Sequence, residues 1–471
     1  MLFHSPEFVL TMLATLLLYW SFPRARTPIL AVANLVFYGA SGLEYLALFL
    51  AISSLIYGLS RAIERGVRPR LLMVTGVTLA LLNLGVFKYT AFAASNLERL
   101  LHLGLDPTQF ELLLPVGISF YTFQLVAYLV DVYKGRVAPA RNLLEFWVFI
   151  AFFGQLIAGP IMRAEDFLPQ VENETQIRFS PREFRLGVFL FIIGLVKKVI
   201  LADQIAPYAD QFFAQAWSLG GLECWIAAYF FAFQIYFDFS AYSDMALGVG
   251  HLFGFSLTPN FETPYLSGNP SEFWRRWHIT LSRWIRDYIY IPLGGSRRGE
   301  VRAALNLLIA MGLSGLWHGA AWTFVAWGLY HGLLSAGHRL WRRRVLTRFR
   351  WPLPDWMMRW ASVFLMFQAT TVGWVFFRAN GLRQALHMIR RMLTLADLHL
   401  TRINARYLCI ILLLWLLHLA EFWFRHRQRE LYAAWTRWVP SPVRALAYTA
   451  VVVLIVLLSA PDQNTFIYFR F

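Results

Sequence analysis

Apolar segments long enough to cross a membrane recur along the whole chain. A transmembrane α-helix needs about 20 predominantly apolar residues. The candidate segments lie at residues 7–22, 28–40, 43–60, 71–94, 115–133, 143–161, 184–202, 222–242, 302–316, 319–338, 357–377, 405–424 and 442–460. Several are short, are interrupted by Gly or Pro, or carry charges, so we expect some to be re-entrant, interfacial or buried in the bundle. The sequence therefore predicts an all-α polytopic membrane helix bundle with about eleven to thirteen membrane-embedded helices.

Composition and charge agree with this prediction. Hydrophobic residues make up 58% of the 471 residues and charged residues only 15%, whereas soluble domains carry about 25% charged residues. The net charge is nevertheless +16. Arginine clusters in two short loops, Arg61–Arg70 and Arg339–Arg350, predict that these loops face the cytoplasm. The remaining basic residues are scattered between apolar segments, which excludes a nucleic-acid-binding domain.

No linker, repeat or low-complexity tract divides the chain, so we predict one integral-membrane domain over residues 1–471. The first apolar run lacks a preceding basic segment and a following small-residue cleavage site, so we expect it to stay as an anchor.

The region from Asn260 to Glu300 is too polar to span a membrane and too aromatic to be disordered. Trp277, Trp284 and Tyr288 recur at near-helical spacing among arginines, which predicts an aromatic stripe on a basic helix. Two interpretations stay open. The helix either lies in the headgroup zone or packs into the bundle and carries a functional group inward.

His318 lies between two apolar runs, close to Gly315 and Gly319, and these glycines allow close approach of a backbone or ligand. A histidine with an ordinary pKa near 6.5 can exchange protons at neutral pH. From these residues alone, a proton-transferring histidine and a buried, hydrogen-bonded histidine are both open.

Other polar residues occur within apolar segments. Asp238 and Asp244 interrupt one aromatic segment, Gln124 lies in another, and Gln155 precedes Gly159-Pro160, where a helix must kink or end. Such residues usually face a bundle interior or a water-filled path. A solute or proton transporter is therefore an alternative, although the two halves of the chain lack the matching broken helices of inverted repeats.

Several kinds of site are poorly supported. Cys224 and Cys409 are far apart and lie in apolar stretches, as inert thiols do. No His-x-x-x-His pair accompanies His278 and His318, so we predict no metal site. The chain also lacks the Gly-x-Ser-x-Gly elbow of serine hydrolases and the phosphate-binding loop of ATPases.

Long motifs then carry a family resemblance. The run Phe273–Gly295 and the block Gly315–Gly319 resemble the membrane-bound O-acyltransferase family, most closely its bacterial alginate O-acetyltransferase branch. Further matching blocks are Pro115–Gln124, Gly154–Ile161, Asp238–Ala246, Gly373–Ala379 and Phe466–Phe471.

The resemblance implies a helix bundle around a central funnel or tunnel, and acyl transfer to a hydroxyl across the membrane. By motif match, His318 takes the position of the family's catalytic histidine and His278 that of a second active-site residue. We expect His318 to act as general base, with Trp317 and Trp277 shaping a dry slot. Asp238, Asp244, Gln155 and Gln124 remain tentative substrate-binding residues.

The donor and the partners follow from the same resemblance. We expect no bound cofactor, and acetyl-CoA or another acyl thioester as co-substrate. Arg275, Arg276, Arg283 and Arg286 are candidates for its phosphates, because guanidinium groups bind phosphate in bidentate fashion; contact with anionic lipid headgroups is the alternative for each.

The expected acceptor is an extracytoplasmic polysaccharide such as alginate, reached from the bacterial inner membrane directly or through a periplasmic partner acetyltransferase. D-alanyl transfer to teichoic acid, and O-acetylation of peptidoglycan or cellulose, are alternatives that the same motifs allow.

Overall fold

The computed structural model describes residues 3, 5–156, 159–345, 353–397 and 404–458, and within these residues all regular structure is helical. The α-helices are α1 (Pro6–Ser21), α2 (Arg26–Gly39), α3 (Leu43–Glu64), α4 (Pro69–Leu101), α5 (Ile118–Tyr133), α6 (Leu143–Ala151), α7 (Phe153–Leu156), α8 (Ala164–Glu172), α9 (Pro181–Leu195), α10 (Asp203–Ala214), α11 (Gly221–Phe253), α12 (Pro270–Arg276), α13 (Ile279–Ile285), α14 (Glu300–His318), α15 (Trp322–Arg344), α16 (Asp355–Arg378), α17 (Leu382–Thr394), α18 (Ala405–Trp438) and α19 (Ser441–Leu458). Two π-helical segments, Val196–Ala202 and Arg286–Tyr290, follow α9 and α13. The predicted all-α class is confirmed.

Five helices in the described part of the chain are individually long and apolar enough to cross a membrane: α3, α4, α16, the Ala405–Arg425 part of α18, and α19. The segments Glu7–Ser21 and Pro23–Gly39 pass the same test only as a pair, and they are bent by 116° at the break between them. A polytopic helical membrane protein is thereby confirmed. The count of eleven to thirteen embedded helices stays a prediction, and α5 illustrates why: it is apolar but only 16 residues long.

The chain divides into two compact units. Unit 1 takes the described residues of Met1–Gly194 and Tyr242–Pro259, and unit 2 those of Leu195–Ala241 and Asn260–Phe471. The single domain over residues 1–471 stays a prediction.

In unit 1, two glycines bring α9 and α11 into backbone contact. A Cβ on Gly187 of α9 would lie 2.8 Å from the carbonyl oxygen of Gly248, and a Cβ on Gly248 would lie 2.7 Å from that of Gly187. Real Cβ atoms do not come this close to backbone. Small residues thus allow the tight helix packing that is common in membrane proteins.

Unit 2 uses the same device between α14 and α15. A Cβ on Gly315 would collide with the carbonyl oxygen of Phe324, and one on Gly328 would lie 2.9 Å from the carbonyl carbon of Met311. Gly332, one turn beyond Gly328, packs against Leu308 in the same way. The close packing matters for function because α14 ends at His318.

Buried ion pairs add polar contacts to unit 2. The π-helical segment Val196–Ala202 carries Lys197 and Lys198, both buried. Lys197 Nζ lies 2.5 Å from Glu421 Oε1 on α18. Lys198 Nζ lies 2.7 Å from Asp203 and 2.9 Å from Asp238. Each buried cation therefore has a carboxylate partner, as burial of a charge requires.

Candidate active site

The aromatic, basic region does not form one continuous helix. Asn269 caps α12, its Oδ1 accepting from the Glu272 amide at 2.9 Å, and Pro270 occupies the first helical position, where its missing N–H is harmless. The helix ends at Arg276 and α13 begins at Ile279. The predicted aromatic stripe is therefore only partly present: Trp284 and Tyr288 lie on one helical run with ring centroids 5.2 Å apart, whereas Trp277 lies before it, where the backbone turns.

The region nevertheless packs inward. Trp277 is 1% exposed and stacks among Phe273, Tyr265 and Trp374, with its ring centroid 4.7 Å from that of Trp374. Trp284 is buried as well. These buried residues agree with the second interpretation, in which the region packs into the protein and carries a functional group inward.

His278 occupies the break between α12 and α13. Its φ and ψ are 41° and 55°, the left-handed region that non-glycine residues seldom adopt and that is enriched at functional sites. The side chain is fully buried, and its ring meets the Phe239 ring edge-on at 4.7 Å. His278 Nδ1 lies 3.2 Å from Asn260 Oδ1. Burial lowers the pKa of His278 to about 3, so its imidazole is neutral at neutral pH.

His318 ends α14 and is 3% exposed. Its ring lies between Trp317 and Trp327, with both centroid distances 5.0 Å, and Phe377 is at 5.3 Å. The His278 and His318 ring centroids are 6.5 Å apart. Once the ring radii are subtracted, this separation still exceeds a hydrogen bond of ~2.7–3.2 Å. The two imidazoles are therefore neighbours that do not bond to each other.

Trp317 and Trp277 contribute differently to these surroundings. Trp317 contacts both imidazoles, at 6.1 Å from the His278 ring and 5.0 Å from the His318 ring. Trp277 packs on Phe261, whose ring lies 6.3 Å from that of His278. The two histidines thus lie in an aromatic, nearly solvent-free environment, and the role of the two tryptophans in shaping a substrate slot stays a prediction.

A basic cavity of about 700 Å³ lies in unit 2, and its lining contains sequence neighbours of the two histidines but neither His278 nor His318. Its lining includes Ile279, which follows His278, and Ser314, one helical turn before His318. Six arginines line it: Arg275, Arg283, Arg286, Arg339, Arg342 and Arg343. Such a concentration of guanidinium groups favours an anionic ligand.

The sequence matches a known protein family and several named relatives. Residues 136–376, which include both histidines, match the family model described as MBOAT, membrane-bound O-acyltransferase family. The "Probable alginate O-acetylase AlgI" of Pseudomonas putida is 38% identical over the full length of both chains. The peptidoglycan O-acetyltransferase of Helicobacter pylori is 34% identical over 86% of this chain and 82% of its own. The teichoic acid D-alanyltransferase of Streptococcus thermophilus is 30% identical over 49% of this chain and 58% of its own.

The chain belongs to the membrane-bound O-acyltransferase family. It is therefore a multi-pass membrane enzyme that transfers an acyl group, and the resemblance noted in the sequence is confirmed.

The predicted donor-binding arginines of the acyltransferase separate into two groups. Arg275 lines the cavity, whereas Arg276 lies 2.9 Å from Glu272, its neighbour one turn earlier on α12. Glu272 also pairs with Arg359 of α16 at 2.8 Å. Although burial alone would raise the pKa of Glu272, hydrogen bonds from Arg359 and the Gly268 amide lower it to about 2. The Arg276 guanidinium thus has a local carboxylate partner.

The tentative polar residues are distributed over both units. Asp238 is in unit 2, where it pairs with Lys198. Asp244 is buried in unit 1. Gln124 and Gln155, also in unit 1, donate to the carbonyl oxygens of Met162 at 3.5 Å and Phe149 at 2.5 Å. Their roles in substrate binding stay predictions.

Two features of the acyltransferase were missed at the level of sequence. Arg339, Arg342 and Arg343 were interpreted only as topology markers, yet they line the cavity; Arg348 and Arg350 of the same cluster lie outside the described residues. Asn260 could not be identified from the sequence, because a single asparagine between Pro259 and Phe261 gives no sign that its side chain is buried beside His278.

Proposed function

We propose that this enzyme moves acetyl groups from cytoplasmic acetyl-CoA toward an extracytoplasmic polysaccharide, alginate, across the bacterial inner membrane. The observation that carries the proposal is the pair of buried imidazoles 6.5 Å apart, together with a cavity that is lined by six arginines and by Ile279, which directly follows His278. The pair supplies proton transfer, and the cavity supplies recognition of an anionic thioester.

The cavity fits the donor by size and charge. Ligand pockets are typically ~300–1,000 Å³, and this cavity measures about 700 Å³. Its guanidinium groups would bind phosphates. The arginine-rich loops also belong on the cytoplasmic side by the positive-inside rule, where acetyl-CoA is made available. Two segments of the chain would supply these contacts: the first contains Arg275, Arg283 and Arg286, and the second, on α15, contains Arg339 and Arg342.

The proposed chemistry is direct acyl transfer. His318 takes the proton of the acceptor hydroxyl while the hydroxyl oxygen attacks the thioester carbonyl carbon, and an oxyanion forms on the carbonyl oxygen. Collapse of this intermediate breaks the carbon–sulfur bond, and the proton on His318 passes to the leaving thiolate. A positioned general base contributes typically ~10²–10⁴-fold. His278 either orients the acceptor or donates a hydrogen bond to the carbonyl oxygen.

The acceptor is proposed from the relatives. The "Probable alginate O-acetylase AlgI" of Pseudomonas putida matches from end to end, whereas the teichoic acid D-alanyltransferase matches half of the chain. Alginate is therefore proposed ahead of teichoic acid, with peptidoglycan as the acceptor to be tested next because that relative covers 86% of the chain. A periplasmic partner acetyltransferase completes the transfer if the polysaccharide itself is not acetylated directly.

The test uses the purified enzyme in sealed vesicles with labelled acetyl-CoA on the arginine-rich side. Alginate oligosaccharides, peptidoglycan fragments or teichoic acid are enclosed on the other side in separate preparations, and the teichoic acid preparation receives a labelled D-alanyl thioester carrier in place of acetyl-CoA. Acetyl label in the alginate product, lost when Arg283 and Arg339 are both replaced by Gln and rescued by higher acetyl-CoA, supports the proposal. Flux of a solute or protons without covalent transfer would instead indicate a transporter.

A further inference from the structure

Asn260 is a fully buried side chain beside His278. Its Oδ1 lies 3.2 Å from the Thr280 amide nitrogen, 2.9 Å from Thr280 Oγ1 and 3.2 Å from His278 Nδ1. The Asn260 carbonyl oxygen also accepts from the Ile279 amide at 2.9 Å. One residue thus binds three consecutive residues at the start of α13.

The contacts of Asn260 determine which way its amide faces. A backbone N–H is always a donor, and the Thr280 amide points at one end of the Asn260 side chain. That end must therefore be the carbonyl oxygen, because an NH₂ group there would place two donors face to face. The usual ambiguity between oxygen and nitrogen in an asparagine does not arise here.

The amide orientation then determines the tautomer of His278. Asn260 Oδ1 is only an acceptor, so His278 Nδ1 must supply the hydrogen of their contact. A neutral imidazole has one N–H, and its other nitrogen keeps a lone pair. We propose that Asn260 is a positioning residue that holds His278 as the Nδ1–H tautomer, so that His278 Nε2 presents a lone pair to the reacting groups.

This inference rests on the proposed function and selects between its two roles for His278. A nitrogen with a lone pair cannot donate to the carbonyl oxygen, so the oxyanion is stabilised by other donors. The hydroxyl that reacts gives its only hydrogen to His318. The lone pair of His278 therefore accepts from a second hydroxyl of the acceptor, the neighbouring hydroxyl of a sugar diol.

The left-handed backbone of His278 is consistent with such a role. Strained conformations of this kind persist where the surroundings determine them. Here two backbone hydrogen bonds, from Ile279 to Asn260 and from Glu262 to the Arg276 carbonyl at 2.9 Å, bind residues 260–262 to the break. The segment that carries Asn260 thus also fixes the turn that carries His278.

The first test reads the tautomer without using activity. Nitrogen-15 spectra of histidine-labelled enzyme in vesicles, with the His278 signals assigned by their loss in His278→Phe, should show a protonated Nδ1 and an unprotonated Nε2. In Asn260→Leu the His278 signals should lose this pattern. An Nε2–H tautomer in the wild type would overturn the inference even if acetyl transfer is normal, whereas a correct tautomer without any acetyl transfer would overturn only the proposed function.

The second test compares matched variants by acetyl transfer. Asn260→Leu should lower kcat by about 10–100-fold, because His278 can then present an N–H instead of a lone pair to the acceptor hydroxyl, which leaves a buried donor unpaired. Asn260→Asp keeps the acceptor and should restore most of the rate. Thr280→Val removes a hydroxyl from Asn260 but leaves the His278 contact, so its kcat should stay within a few-fold. Equal losses in all three variants would indicate a merely structural role.

The acceptor itself provides the third test. A deoxy acceptor that lacks the neighbouring hydroxyl should lose about tenfold in kcat/KM with the wild type, as for one hydrogen bond. We expect His278→Ala itself to lower activity with the ordinary acceptor, and the deoxy acceptor should lose nothing further with this variant. An equal loss with both enzymes would contradict the assignment of His278 to that hydroxyl.

Discussion

Replacing Gly328 by alanine tests whether the contact between α14 and α15 sets the position of His318. The added Cβ would lie 2.9 Å from the carbonyl carbon of Met311 and 3.2 Å from the Cα of Gly312. Carbon atoms in contact normally stand ~3.5–4.0 Å apart. The carbonyl oxygen of Met311 lies closer still. Because all three obstacles are backbone atoms of α14, the two helices must separate by about 1 Å or more.

The expected cost has two parts. Overpacking of this kind destabilises a protein by typically ~1–3 kcal/mol. In addition, α14 ends at His318, and a misplacement of about 1 Å in a catalytic group can cost 10²-fold in rate. We therefore expect Gly328→Ala to lower the melting temperature in detergent and to lower acetyl transfer by up to ~10²-fold.

Gly337 on the same helix supplies the matched control. It is exposed, and a Cβ there meets nothing within 4 Å. Alanine is the better helix former by about 1 kcal/mol, so Gly337→Ala should keep activity and leave the melting temperature unchanged or higher. If Gly328→Ala has the melting temperature and the transfer rate of Gly337→Ala, the helix contact does not position His318.

The remaining predictions concern ion pairs of unit 2. Asp238→Asn leaves the buried Lys198 with one carboxylate fewer and should lower the free energy of unfolding by up to ~3–5 kcal/mol, measured by thermal unfolding. The double variant Lys198→Met, Asp238→Leu should recover most of this loss. A double variant as unstable as the single one would contradict an ion-pair role. Glu272→Gln removes a carboxylate whose pKa in the folded protein is about 2, below its ordinary 4.5. Its stabilisation is therefore fully present above the ordinary pKa and is lost as pH falls through the folded value. The difference in melting temperature between wild type and Glu272→Gln should accordingly shrink between about pH 5 and pH 2, and a difference that grows on acidification would refute this sign.

The sequence predicted the class of the fold well because the governing signal is local. Apolar segments separated by short basic loops leave few alternatives to helices in a membrane. The break at Trp277 and His278 could not be read in the same way, since it depends on Asn260, which is 18 residues away in sequence from His278. Trp277 and Trp284 have the same spacing in the sequence whether the helix between them is broken or continuous, so their spacing does not reveal the break.

The site was predicted partly by residue type and partly by motif. His278 and His318 are 40 residues apart in sequence, and only the motif match suggested that they act together; the fold brings their rings to 6.5 Å. The cavity could not be assembled from the sequence because the positive-inside rule alone accounts for Arg339 and Arg342. The structure places both on α15 rather than in a loop, and an arginine near a helix end can satisfy the positive-inside rule and line a binding cavity at once.

The central claim is that acetyl transfer proceeds through His318. The most direct measurement is the rate of acetyl transfer from labelled acetyl-CoA to alginate oligosaccharides by vesicle-inserted His318→Ala and His318→Gln, with His387→Ala on α17 as the control histidine. The account predicts folded, membrane-inserted variants without detectable product for both changes at His318, and near-normal transfer for His387→Ala. Normal product acetylation by folded His318→Ala would contradict it.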